Sequence, residues 1–338
     1  MRTSVFDGPR AIRIADVPDP QPGPGEAVVR VRAAGICGGD LHEWRAGRQL
    51  YDVTYPRPAQ GHELAGEVLR VREGVELEPG ARVGVMPMVS CGACRFCRAG
   101  SYALCPRLEH LGVARPGGFA QEAVAPVANL HVLPDGVSFA EGALLDCVAV
   151  AVHALHRAPV PAGAHVAVSG TGAVGLAAAQ VARAAGAGRV TVVGTRPGPL
   201  AVARALGADA TVDLSAGDRP PADAEVVYET AGGAGLLERA AAMAGPGGTL
   251  AIVGEHFDPD PLDVAAAMAR ELTIAFVWSY GYWAGQDEYA RALDLVAAGR
   301  VRLEPAVTHR VALDDLAAGY ALAADRAGSG AIKVLVEP

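Results

Sequence analysis

Thiols at positions 91, 94, 97 and 105, in the run Cys91-Gly-Ala-Cys94-Arg-Phe-Cys97-Arg-Ala-Gly-Ser-Tyr-Ala-Leu-Cys105, have the spacing of one closed tetrahedral zinc site. Zn²⁺ held by four thiolates at about 2.3 Å each keeps no open position for water or substrate, so such a site contributes folding energy rather than catalysis. The lobe that carries it folds with its metal. Disulfides and a redox Cys-x-x-Cys are the competing readings. The start Met1-Arg2-Thr3-Ser4 has no apolar run behind a basic segment, so no secretory signal supports disulfides. The expected compartment is a reducing, cytoplasmic one.

A second chemistry-bearing run is Val166-Ala-Val-Ser-Gly170-Thr-Gly172-Ala173-Val174-Gly175. It puts Gly-x-Gly-x-x-Gly directly after an apolar strand and at the opening of a helix, so backbone amides and the helix N-terminus face a pyrophosphate. In a chain with 42 glycines the glycine pattern alone is weak; the strand before it and the helix after it make it strong. The next strand, Arg189-Val-Thr-Val-Val, ends where an NAD-binding protein normally places an acidic residue for the ribose hydroxyls. Here it runs into Gly194-Thr195-Arg196-Pro197. Glycine leaves room for a 2′-phosphate, Thr195 can donate a hydrogen bond, and Arg196 offers a planar cationic fork, whereas a carboxylate would repel the phosphate. The expected cofactor is NADP(H) in preference to NAD(H), against the plainer reading of a surface turn with a solvated arginine. Thr230, Val253 and Gly254, at or just past the ends of later strands, complete the expected cofactor-contacting set.

These motifs need elements to position them. A length of 338 residues implies about two domains, and an apolar half of the composition can fill sizeable cores. The net charge of -8 argues against a surface that tracks phosphates, and so against a nucleic-acid partner. The apolar stretch Ala143 to Leu155 is interrupted by Asp146 and His153, and no membrane segment is expected. Residues 1 to about 145 read as short alternating runs such as Ala27-Val-Val-Arg-Val-Arg, punctuated by Pro-Gly turns, which predicts a β-rich, barrel-like domain with long loops. From about 150, apolar strands alternate with alanine-rich helices, which predicts a parallel, doubly wound sheet and an α/β fold class.

Upstream of the cysteine quartet stand Gly35-Ile-Cys37-Gly-Gly39-Asp-Leu-His42 and Gly61-His62-Glu63-Leu-Ala-Gly66-Glu-Val68, and downstream stands Ala143-Leu-Leu-Asp146-Cys147. With the quartet and the glycine loop, in this order, these residues resemble the zinc-dependent medium-chain dehydrogenase/reductase family of alcohol and polyol dehydrogenases, over essentially the whole chain. The resemblance implies a GroES-like β-rich catalytic domain (residues 1–148 and 284–338, with a structural zinc lobe at about 88–106) and a Rossmann domain (149–283). It also implies two zinc ions per chain. The catalytic one would be held by Cys37, His62 and Asp146, with Glu63 able to enter the coordination sphere. Three protein ligands leave a fourth position for water or substrate, which a Lewis-acid site needs. The reaction implied is hydride exchange between a secondary alcohol or polyol and its ketone. Taken singly, Cys37 and Cys147 could be packed thiols, His62 a core histidine and Asp146 a helix cap; Cys147 is the rival third ligand. One departure stands out: the family usually carries a serine or threonine two residues after the first cysteine to start a proton relay, and this chain has Gly39. His42 matches the relay histidine; water, a cofactor hydroxyl or Glu63 could replace the missing link.

Aromatics cluster at Phe276-Val-Trp278-Ser-Tyr280-Gly-Tyr282-Trp283, and Trp44 follows His42. By the resemblance these regions lie near the substrate cleft, though a subunit interface or plain packing is an equal reading. The expected partners are a small alcohol, ketone or polyol substrate and further copies of the chain in a homodimer or homotetramer. The alternatives kept open are an NAD-dependent polyol, butanediol, threonine or aminocyclitol dehydrogenase, a non-catalytic NADPH-binding zinc protein, and a zinc-free reductase of the same superfamily.

Overall fold

The alternating run from residue 27 becomes strand Glu26–Gly35 of the computed structural model, which describes residues 1–47, 54–72, 76–283 and 285–338. Its valines and alanines are buried while Arg30 and Arg32 face outward, the period of a half-buried strand. Around it forms a seven-stranded sheet in the order Leu130–Val132, Arg82–Val85, Glu63–Val71, Glu26–Gly35, Lys333–Glu337 and Val307–Ala312, with Glu122–Pro126 paired to the start of Glu26–Gly35. A three-stranded sheet of Ala11–Asp16, Arg2–Gly8 and Arg57–Pro58 accompanies it. The shared core contains Phe6, Val29, Val31, Leu64, Val85, Phe119, Leu316, Tyr320 and Val334. Tyr320 packs edge-on to Phe6 at 5.4 Å, and its hydroxyl donates to Gln60 Oε1 at 2.9 Å, so its one polar atom is satisfied inside the core. This is the GroES-like β-rich fold.

The second architecture is a six-stranded, all-parallel sheet: Ala210–Asp213, Arg189–Gly194, His165–Ser169, Ala224–Glu229, Ala244–Ile252 and Thr273–Phe276. Numbered by position in the chain the order is 3-2-1-4-5-6, the doubly wound Rossmann arrangement, which reverses direction between His165–Ser169 and Ala224–Glu229. Strand His165–Ser169 is buried at every residue, as a strand covered on both faces must be.

The chain divides into two units, Met1–Asp146 with Val307–Pro338 and Cys147–Ala306. The return to the first unit thus falls at 306/307 rather than at the expected 283/284; Ala284 itself lies outside the described residues. The reason is local. Helix Glu288–Ala297 buries Tyr289, Leu295 and Val296, and the Gln180 side chain donates to Arg302 O at 3.0 Å while accepting from Arg302 N at 2.9 Å. Those bonds tie the segment to helix Ala173–Ala184 of the Rossmann unit. Among the described residues no helix is long and apolar enough to cross a membrane.

Candidate metal centres and cofactor crevice

The quartet lies in a lobe opened by strand Met88–Val89, which pairs with Glu109–His110. The four sulfurs lie within 4.8 Å of one another; Cys91 to Cys97 is 3.8 Å and Cys94 to Cys97 is 3.4 Å. A tetrahedron with Zn–S of about 2.3 Å has S···S edges of about 3.8 Å, so the cluster has the size of a zinc site rather than of two disulfides. All four thiols are free. Backbone hydrogen bonds from Ala93 and Cys94 pull the Cys91 thiol down to about 5, which favours the thiolate a metal requires. With no oxygen or nitrogen donor in the group, this centre fits a structural zinc.

Among the described residues the other group that could hold a metal joins Cys37, His62 and Glu63, whose donor atoms also lie within 4.8 Å of one another. Sheet register explains their meeting. Gly35, at the end of strand Glu26–Gly35, pairs with Glu63, at the start of Glu63–Val71, so the chain leaving one strand and the chain entering the other arrive side by side. Two residues beyond Gly35, Cys37 caps helix Gly38–Ala46, and its backbone N–H donates to Asp40 Oδ2 at 2.9 Å. Asp40 is buried and its Oδ1 lies 3.7 Å from His62 Nδ1, beyond hydrogen-bond distance, so it faces the imidazole as a nearby charge while that nitrogen has no hydrogen-bond partner among the described residues. Burial pushes Asp40 up to about 6 against the pull of His62. Burial also opposes the His62 cation, but Asp40, Asp146 and Glu63 outweigh it and raise the imidazole above its ordinary value. The Cys37 thiolate and the His62 imidazole, with a carboxylate from Glu63 or Asp146 to complete the donors, fit a borderline-soft ion such as Zn²⁺ with a position left open.

Of the expected catalytic residues, the structure gathers Cys37, His62 and Glu63 and leaves Asp146 outside that set, on the first turn of helix Leu145–Arg157 but near enough to act on His62. His42 sits on the same short helix as Asp40, partly buried, and Gly39 brings no hydroxyl to it. Cys147 is buried. Two neighbours carried no signal in the sequence. His110 packs its ring edge-on to His62 at 5.2 Å and donates through Nδ1 to Leu111 O at 3.0 Å, while burial and the His62 charge push it down to about 3. Lys333 donates to both oxygens of Glu63.

In the Rossmann unit, loop Gly170–Gly172 leads from strand His165–Ser169 into helix Ala173–Ala184, whose first amides, from Ala173, Val174 and Gly175, open its N-terminus. Gly175 has a packing reason: a Cβ there would lie 2.3 Å from Gly170 O. Thr230 Oγ1 donates to Ser169 O at 2.9 Å across the point where the strand order reverses. Buried Glu229, which sequence reasoning missed, accepts from the amides of Ala231 and Gly232 at 2.8 and 3.0 Å, while its own carbonyl accepts from Val253 and Gly254. It therefore shapes the loops that carry Thr230, Val253 and Gly254. Gly194 ends its strand, Thr195 is exposed, and Arg196 caps helix Pro197–Ala205, its guanidinium lowered by burial.

The aromatics divide. Trp44 packs on Tyr320 at 5.8 Å beneath the Arg10 guanidinium at 5.3 Å. Tyr280 is buried against Tyr289, whereas Trp283, partly exposed, stacks on His156. His156 and His153 both reach buried Glu288, at 2.6 and 3.0 Å.

Residues 23–135 match the alcohol dehydrogenase GroES-like domain family, and residues 173–298 match the zinc-binding dehydrogenase family. Sorbitol dehydrogenase of Bacillus subtilis is 33% identical over 325 residues, covering 93% of this chain and 91% of that protein. A zinc-binding dehydrogenase from Sinorhizobium meliloti, solved bound to NADP, superposes with a TM-score of 0.90 at 32% identity, covering 100% of this chain and 99% of the other. Galactitol-1-phosphate dehydrogenase from Escherichia coli gives a TM-score of 0.88 at 31% identity, with 100% of each chain covered.

Proposed function

The chain belongs to the zinc-dependent medium-chain dehydrogenase/reductase family, and on that premise we propose that it interconverts a secondary alcohol or a polyol or cyclitol hydroxyl with the ketone, using NADP(H). The observation that carries this is the meeting of Cys37, His62 and Glu63 beside Asp146. When bound, zinc supplies Lewis acidity to the substrate oxygen and the dinucleotide supplies or accepts the hydride. The protein's part is positional. Cys37 and His62 hold the metal, Asp146 completes the set, and Glu63 is the carboxylate within reach of it. Asp40, 3.7 Å from His62 Nδ1, acts on that imidazole as a buried neighbouring charge and closes to a hydrogen bond on Nδ1 when the metal is bound. His42 is the outer member of the proton path, and a water, a cofactor hydroxyl or Glu63 bridges the place of the hydroxyl missing at Gly39. The quartet holds the second zinc.

A polyol reading draws support from the sorbitol and galactitol-1-phosphate dehydrogenases among the relatives. NADP(H) preference draws support from the Gly194-Thr195-Arg196 loop and from the NADP-bound relative. The family resemblance supports a homodimer or homotetramer and cytoplasmic residence. The test is reduction of NADP⁺ and NAD⁺ in parallel across secondary alcohols, vicinal diols, sugar polyols and their phosphates. Turnover with one class and NADP⁺ supports the reading, while faster turnover with NAD⁺ returns the chain to the NAD-dependent polyol dehydrogenases. Arg196→Asp should weaken NADP⁺ binding about tenfold or more and leave NAD⁺ nearly unchanged; equal effects on both would remove Arg196 from the site. Gly39 favours one further reading, a cofactor-binding zinc protein without turnover, which silence across the panel would support.

A further inference from the structure

Glu63 is placed to ligate the metal, yet both of its oxygens are already engaged. Lys333 Nζ donates to Oε1 at 2.6 Å and to Oε2 at 2.7 Å, and its third hydrogen bond goes to Ile36 O at 3.0 Å. Lys333 is 6% exposed and Glu63 fully buried, so water does not compete for either. The pair is built into the sheet. Strand Lys333–Glu337 runs antiparallel to Glu26–Gly35 with Leu335 opposite Gly35, so its first residue arrives beside the chain that leads to Cys37. Gly35 supplies the room, since a Cβ there would lie 1.9 Å from Glu63 Oε2. An ammonium whose three hydrogens are all used, two of them on one carboxylate, is fully committed to holding that carboxylate in one place.

We propose that Lys333 is a positioning residue that holds Glu63 back from the metal bound by Cys37 and His62, and so keeps the exchangeable coordination position open. This rests on the reading of that group as a zinc site. Two cations then compete for one buried carboxylate. With Lys333 present, Glu63 balances local charge from outside the coordination sphere; with Lys333 removed, the two hydrogen bonds that fix the carboxylate are lost, and Glu63 turns to the metal and closes the position that an exchanging ligand needs.

The experiment uses the full-length protein with cobalt at the Cys37 site and zinc retained in the quartet, and imidazole as an uncharged probe of the open position. Being neutral, imidazole does not respond simply to the loss of the lysine charge. Lys333→Met should change the cobalt visible spectrum and weaken imidazole binding by about tenfold or more. Lys333→Met with Glu63→Gln should restore imidazole affinity, and Lys333→Arg should retain it. Unchanged imidazole affinity in cobalt-loaded Lys333→Met would overturn the proposal. Glu63→Gln decides the matter if Lys333→Met fails to fold. Loss of the carboxylate leaves the buried Lys333 ammonium unpaired near the metal, so weaker cobalt uptake is expected; the visible bands of the cobalt that binds should keep the parent's positions because Glu63 is already off the metal, and displaced bands would show it to be a standing ligand and overturn the proposal. A parent protein that takes up one metal per chain would overturn the zinc reading itself, before Lys333 is in question.

Discussion

The two candidate metal centres among the described residues of the β-rich unit are assembled in opposite ways. The quartet takes all four donors from one short stretch, 91 to 105, with backbone amides and a small hairpin around it. The Cys37 centre takes its donors from the ends of separate strands, and the groups around it come from still farther: Lys333 is 270 residues from Glu63 in the chain. A closed site of like ligands can be carried by a loop because it has only to exist. An open site has to hold a metal and also leave a position vacant, so its ligands need rigid elements and outer partners that fix their orientation.

Three variants sharpen this contrast, from the largest expected effect to the smallest. Cys97→Ser should remove the metal that holds the lobe together, worth on the order of 10–16 kcal/mol of binding in comparable small sites. Limited proteolysis should then cut near residues 88–106, and a lobe as resistant as the parent's would show that the quartet does not organise it. Cys37→Ser combined with His62→Ala should lower kcat/KM by more than about a thousandfold, the scale of losing a Lewis acid, while the midpoint of thermal unfolding moves by only a few degrees. Retained turnover would separate the reaction from this centre. Asp40→Asn should weaken metal binding at the Cys37 centre by about 10–100-fold and leave the quartet's metal in place. Competition with a chelator reads both sites, and equal loss from the two would make Asp40 a general stabiliser.

How much the sequence revealed follows the same division. The quartet, the glycine loop and the strand–helix alternation are local, so spacing and periodicity exposed them, and the parallel sheet follows from the alternation alone. Cys37 and His62 were legible through a resemblance, while the reason they meet, the pairing of Gly35 with Glu63, is a register that no local pattern encodes. Asp40 was visible in the Cys37 motif and passed without a role. Lys333 gave no signal, because a lysine near the end of a strand reads as a solvated edge until the sheet order is known. The boundary at 306/307 was missed because it depends on Gln180 bonding the backbone of Arg302, a contact across 122 residues. The aromatic cluster reads as one feature in the sequence and divides in the structure, since Tyr280 enters the core and Trp283 stacks on His156.

The claim that this unit holds two zinc centres of different purpose is tested most directly by counting zinc per chain in the parent protein and in the Cys37→Ser, His62→Ala variant. The account predicts two ions in the parent and one in the variant, with the variant still folded and its lobe resistant to protease. Two ions retained in the variant, or one in the parent, would contradict it.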